Sequence, residues 1–193
     1  MKLKYILQVS VIIALFVMIA VPGFKVGAQS TPTCTSKNGS GNWTSPSLWD
    51  CSDSNKTPTA SHLVTIETGD TIFIDTTAPV AALVTIDAGG TLTFLNTGTN
   101  TLTTGSLTNN GTFTFPSAGT NTLIISSATS GTTFTNNSTF TAGTGTVQFA
   151  GTAAQTISGV STINNLTISN GSTGLAINNN MTVNGVLTLN NDI

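Results

Sequence analysis

The chain repeats one pattern of β-branched and polar residues, LVTIETGDTIFI at residues 63–74 and LVTIDAGGTLTF at residues 83–94. The apolar positions recur at an offset of 20, and so does one glycine, Gly69 with Gly89. Because side chains alternate between the two faces of a strand, each copy is predicted to form two strands joined by an Asn/Gly turn. Repeats of about 20 residues or more are typical of stacked architectures.

Further copies of the pattern follow at residues 107–115, 134–142, 144–171 and 177–185. The first of these aligns with its predecessor at an offset of 21, which pairs Leu107 with Ile86. The next follows at an offset of 27 and places Phe140 over Phe113. The last follows at an offset of 43, close to two periods.

Two architectures fit this pattern. In a β-solenoid each copy is one coil, whereas in an antiparallel sandwich each copy is a hairpin closed by an Asn-Gly turn. The near-constant period favours the solenoid, as does the match of like with like, for example Asn136 over Asn109. Residues 62–193 are therefore predicted to form an all-β, right-handed parallel β-helix of about six coils, each of roughly 20–27 residues.

Residues 1–28 have the order of a secretory signal peptide. Lys2 and Lys4 precede an apolar run, and a small-residue site ending at Ala28 follows it. A single membrane anchor is the alternative, because the run approaches the length that spans a bilayer. The cleavage site favours a secreted or cell-surface chain that is not inserted in the membrane after cleavage.

Residues 29–61 are predicted to form an irregular N-terminal cap. The segment holds both tryptophans, Trp43 and Trp49, which can cover the open end of a solenoid core. Export permits a disulfide between Cys34 and Cys51, and the alternative is two free thiols. The spacing does not fit a zinc site.

At the other end the chain stops in mid-pattern, at TVNGVLTLNNDI. This ending predicts a truncated product, a fragment, or a coil that continues in a partner by end-to-end association.

The exported part of the chain is acidic and almost free of cations. It has no arginine and only Lys37 and Lys56, against seven acidic residues, so its formal charge is −5. Phosphate backbones are bound through Lys and Arg. This composition therefore argues against nucleic acid and anionic membranes as partners.

The stretches GTAAQTISGVSTINNLTISN (residues 151–170) and MTVNGVLTLNN (residues 181–191) resemble repeats of large secreted bacterial β-helix proteins. These include filamentous-haemagglutinin-like and autotransporter-like adhesins and Bacteroidetes-type surface proteins. The opening GNWTSPSLWD, with its paired tryptophans, is similar to the entrance of such domains. The resemblance implies a β-helix and a surface role, and it transfers no catalytic residue.

Acidic side chains are the candidates for chemistry. Glu67 and Asp87 fall at the same repeat position, so they are expected to stack about one strand spacing apart. That is closer than the roughly 6.5–9.5 Å of an inverting hydrolase, although it is compatible with a retaining pair. With Asp70 they are also candidate calcium ligands, and the alternative is a solvated turn. His62, the only histidine, is predicted to be a surface or cap residue.

Threonines recur in T-x-T pairs at equivalent repeat positions. The six residues are Thr91, Thr93, Thr112, Thr114, Thr139 and Thr141. Stacking would produce a double file of outward hydroxyl and methyl groups, which is a feature of ice-binding solenoids. The alternative is the cross-strand pairing of threonines that stabilises any sheet.

Taken together, these observations predict a secreted or cell-surface β-solenoid without a catalytic role or cofactor, calcium excepted. Its expected task is structural or adhesive contact with glycans or cell-surface proteins. A polysaccharide-active β-helix enzyme is the alternative, and ice binding is a further one.

Overall fold

The computed structural model describes residues 30–37, 39–170 and 173–190. The predicted signal peptide at residues 1–28 and the last residues, 191–193, lie outside the described residues. Within the described ranges, no helix is long and apolar enough to cross a membrane.

The described chain is all-β, with one short 3₁₀ helix at Pro46–Leu48. Its strands are β1 Thr33–Ser36, β2 Ser40–Asn42, β3 Trp49–Cys51, β4 Leu63–Ile66, β5 Thr71–Ile74, β6 Val80–Ile86, β7 Thr91–Phe94, β8 Thr99–Asn109, β9 Thr112–Thr114, β10 Thr120–Ile125, β11 Gly131–Asn136, β12 Thr139–Thr141, β13 Thr146–Phe149, β14 Gln155–Ser158, β15 Thr162–Ile163, β16 Asn165–Ile168, β17 Leu175–Ile177, β18 Thr182–Val183 and β19 Leu187–Leu189.

These strands form a β-solenoid of about six turns, which confirms the predicted architecture. They lie in a twelve-stranded sheet, a five-stranded sheet in the order β12-β9-β7-β5-β2, and a two-stranded sheet of β15 and β18. The long strand β8 serves two faces of the solenoid, because its first half pairs with β10 and its second half with β11. Among the described residues, β1 with β3 is the one antiparallel pair, so a sandwich of hairpins is excluded. The right-handed sense of the coil stays a prediction.

The length of each coil can be measured along one column of stacked side chains. It contains Val64, Val84, Leu107, Phe134, Ile157 and Ile177. The successive offsets are 20, 23, 27, 23 and 20 residues, within the predicted range. The first five side chains are buried, whereas Ile177 in the last described coil is 45% exposed.

The predicted pairing of Leu107 with Ile86 is wrong. Leu107 pairs with Val84, and Asn109 lies beside Ile86. The shift arises because the turn that follows Asn109 is two residues shorter than the turn after Ile86. The register returns to an offset of 21 in the next sheet, where Phe113 lies beside Leu92 as predicted.

A continuous apolar core runs through the coils. Isoleucine and valine dominate the first coils, and a cluster of rings fills the middle ones. Phe94 stacks on Phe115 with ring centroids 4.8 Å apart, and Phe113 lies 5.7 Å from Phe140. The predicted stacking of Phe140 over Phe113 is confirmed by the strand register.

The N-terminal cap is more regular than predicted. Its strand β1 pairs in parallel with β4, and β2 pairs in parallel with β5, so the cap extends both sheets of the first coil. The sequence does not predict β1, because the buried positions of this strand are Cys34 and Ser36 rather than large apolar residues. The predicted disulfide between Cys34 and Cys51 is confirmed.

The two tryptophans of the cap are buried, as expected for residues that cover a core end. Trp43 and Trp49 meet edge to face with centroids 5.0 Å apart, and Trp49 Nε1 donates a hydrogen bond of 2.8 Å to the Trp43 carbonyl. At the other end, Val186, Leu187 and Leu189 are more than half exposed. End-to-end association at this coil stays a prediction.

Candidate functional site

The structure brings the six predicted threonines together on the five-stranded sheet. Two files run across β7, β9 and β12, one of Thr91, Thr112 and Thr139 and one of Thr93, Thr114 and Thr141. The residues between them, such as Leu92 and Phe113, are buried and hold the strands against the core. In the preceding coil Phe73 replaces the threonine beside Thr93, so this file ends there.

The threonines differ in how much they offer to solvent. Thr139 and Thr141 are exposed, whereas the other four are half-buried. The Thr93 hydroxyl donates a hydrogen bond of 3.2 Å to the carbonyl of Thr114, so it already serves the contact between two strands. The hydroxyls most available to a ligand are therefore those of Thr139 and Thr141 in β12.

Asp70 is engaged by the cap. It is 8% exposed, and its carboxylate accepts hydrogen bonds from Ser36 Oγ at 2.6 Å and from the Gly39 N–H at 2.8 Å. Glu67 is exposed, and Asp87 is half-buried one coil further on. Asp70 thus joins the cap to the first turn, and a calcium site with Glu67 and Asp87 stays a prediction.

His62 is a buried cap residue, with no exposed surface. Its Nδ1 accepts hydrogen bonds from the N–H and the hydroxyl of Thr59, at 3.0 and 2.7 Å. Because Nδ1 accepts, the ring proton belongs on Nε2, which lies 3.1 Å from a carboxylate oxygen of Asp53. The buried histidine therefore holds the loop that contains Asp53 and Thr59 in place before the first coil.

Asp53 is held in its charged form by this loop. Burial raises the pKa of Asp53, but hydrogen bonds from the backbone and side chain of Asn55, together with the neighbouring His62 ring, lower it below its ordinary value. Sequence reasoning missed this contact, because nothing in the spacing of Asp53 and His62 indicates it.

The metal-ligating side chains that the structure gathers are not the predicted ones. Within the ranges that the structure describes, Cys34, Cys51 and His62 have ligand atoms within 4.8 Å of one another. Both sulfurs are bonded to each other in the disulfide, so neither is a thiolate that could bind a metal. The three residues therefore stabilise the cap and do not form a metal site.

Asparagines of successive coils are hydrogen-bonded to one another at two places in the solenoid. Asn109 donates from Nδ2 to Asn136 Oδ1 at 2.6 Å and to the Thr139 carbonyl at 2.7 Å. Asn100 donates to Asn121 Oδ1 at 2.9 Å. The predicted stacking of Asn136 over Asn109 is thus confirmed as a hydrogen-bonded ladder.

The chain was compared with known protein families, curated proteins and solved structures. The family model of the G8 domain matches residues 49–190, from the second tryptophan of the cap to the end of the last described coil. No curated protein and no solved structure matches the chain.

The resemblance to haemagglutinin-like and autotransporter-like adhesins stays a prediction. G8 domains are typical of extracellular proteins, which agrees with the disulfide and with an extracellular structural protein. Because the match covers well over half of its length, the chain belongs to the G8 domain family.

Proposed function

We propose that this protein is a non-catalytic extracellular solenoid that attaches to glycans or other cell-surface material through the uncharged, hydroxyl-bearing face of its five-stranded sheet. The observation that carries the proposal is the five-stranded sheet, on which six threonines form two files without a charged neighbour in the same strands. Hydroxyl groups donate and accept hydrogen bonds, so such a face complements neutral polymers that also bear hydroxyls.

The distribution of charge supports a binding role rather than a chemical one. Residues 88–191 contain no Asp, Glu, Lys, Arg, His, Cys or Tyr. General acid–base catalysis and side-chain nucleophiles depend mainly on those residue types. Most of the coils therefore lack the groups that a polysaccharide lyase or hydrolase would need.

The fold supports a structural role because each coil is bonded to the next along its strands. Parallel ladders connect β4 through β16 on the large sheet, and asparagine ladders reinforce the corners. A stack of this kind keeps its surface files at a fixed spacing of about 4.8 Å. Fixed spacing lowers the conformational entropy lost when a regular polymer binds.

Adhesion of the full secreted chain to insoluble neutral polysaccharides and to cell surfaces tests the proposal. We expect adhesion to persist at high salt, because no ion pair is involved. The double variant Thr112→Val/Thr114→Val removes two hydroxyls at nearly constant shape and should weaken adhesion. The matched control is Thr101→Val/Thr122→Val on the large sheet. The proposal is overturned if the wild type does not adhere, or if the two variants adhere equally well.

The regular T-x-T files also favour a second function, ice binding. Thr91, Thr112 and Thr139 share one register, as ordered contact with a lattice requires. Thermal hysteresis and inhibition of ice recrystallisation at high protein concentration test this candidate, and the absence of both would eliminate it.

A further inference from the structure

The wall of the solenoid is interrupted between two successive coils. The five-stranded sheet ends at β12, and the next coil begins a separate two-stranded sheet at β15. A groove of about 450 Å³ opens at this break. Its volume lies within the range of small-molecule sites, roughly 300–1,000 Å³.

Unpaired backbone groups face this break from both sides. Thr139 and Thr141 use their backbone groups to bond toward β9, so the N–H and C=O of Phe140 point to the free edge. Ser161 and Ile163 likewise bond toward β18, so the N–H and C=O of Thr162 point the other way. No group among the described residues hydrogen-bonds these four atoms.

The remaining lining is hydroxyl-rich and has an aromatic floor. Ser138, Thr141 and Ser161 are exposed at the rim, and Phe140 lies half-buried below them. The Phe140 ring is held from inside by Phe134, whose centroid is 5.7 Å away. Phe140 therefore contributes an apolar surface to the lining of the groove.

No ionisable side chain lines the groove. An anion or a cation would have to leave water without a counter-charge, which is costly. A saccharide ring offers hydroxyls that both donate and accept, and apolar C–H groups for the aromatic floor. We propose that this groove binds a neutral saccharide ring. The inference rests on the proposed function and assigns it a defined subsite.

Neutral oligosaccharides of glucose, mannose and N-acetylglucosamine are the probes for a test with the full secreted chain. Binding is followed by saturation-transfer NMR and by the backbone amide shifts of Phe140 and Thr162. The variant Ser161→Trp fills the groove from an exposed position, and Thr99→Trp is the matched control at an exposed position outside it. We expect at least one probe to shift both amides. We also expect Ser161→Trp to weaken its binding about tenfold or more, while the control changes little.

Three outcomes would overturn the inference. If Ser161→Trp binds the sugars as well as the wild type does, they bind elsewhere, and the proposed function stands without this subsite. If no sugar binds although the protein adheres to polymers or cells, the groove is not a saccharide site. If uncharged extended peptides shift the two amides and sugars do not, the break accepts an added strand instead. Separately, a wild type that adheres neither to polysaccharides nor to cells would overturn the proposed function itself.

Discussion

Asn109 occupies the position that a buried isoleucine holds one coil earlier. Its side chain accepts from the Gly111 N–H at 3.2 Å and donates to the next coil, so all of its polar atoms are satisfied. The sequence shows the asparagine but not its depth, because an Asn-Asn-Gly run is typical of an exposed turn. The burial follows from the two-residue shortening of that turn, which only the strand register reveals.

Replacing Asn109 tests how much it contributes to the free energy of unfolding. We expect Asn109→Ala to lower the free energy of unfolding by about 1–3 kcal/mol, because it leaves buried partners without hydrogen bonds. Asn110→Ala is the control, because the Asn110 side chain accepts a hydrogen bond from the exposed Asn137 side chain and its loss should cost about 0.5 kcal/mol or less. Urea denaturation measures both, and equal losses would contradict the role of Asn109.

Asp53 gives the cap a dependence on pH. Because the pKa of Asp53 is lower in the folded chain than its ordinary 3.8, its contribution to stability is present above that value. The contribution is lost as the pH falls through the lowered pKa. We expect Asp53→Asn to reduce the difference in melting temperature between neutral and strongly acidic pH. An Asp53→Asn variant with the same difference as the wild type would contradict this role of Asp53.

At the scale of strands and turns, close approach of the backbones decides which residues fit. A Cβ at Gly111 would overlap the carbonyl oxygens of Asp87 and Gly90, whereas Gly69 has open space and a φ of 88°. We expect Gly111→Ala to destabilise the fold by about 1–3 kcal/mol. Gly69→Asn should cost less than Gly111→Ala, because the site has open space and asparagine tolerates the left-handed region better than most residues. Thermal unfolding distinguishes the two, and a tolerated Gly111→Ala would contradict the tight turn.

The elements that the sequence predicts well are those with large alternating side chains. The pairing of Val64 with Val84 and of Phe113 with Phe140 can be predicted from the sequence offset alone. In each pair of coils the neighbouring turn has the same length, so the register does not shift. The cap strand β1 and the break between β12 and β15 could not be predicted in this way. Their positions depend on a disulfide and on contacts between coils, neither of which leaves a periodic pattern.

At the scale of the whole molecule, the disulfide closes the cap, and strand β1 joins the cap to the stack. Cys34 and Cys51 close a loop of 17 residues, and β1 also carries the parallel pairing with β4. We expect Cys34→Ala/Cys51→Ala to lower the free energy of unfolding by about 3 kcal/mol. Reduction of the wild type should produce a similar loss and leave the double variant unchanged. A wild type that resists denaturation equally well with its disulfide reduced would contradict this estimate.

The absence of lysine and arginine from the coils has a consequence for digestion by proteases. Proteases that cut after lysine or arginine have no cleavage site beyond Lys56, whether the coils are folded or not. Every coil from β4 onward would survive such an enzyme as one uncut piece. A molecule built in this way can lose its cap to these proteases while its described coils stay uncut.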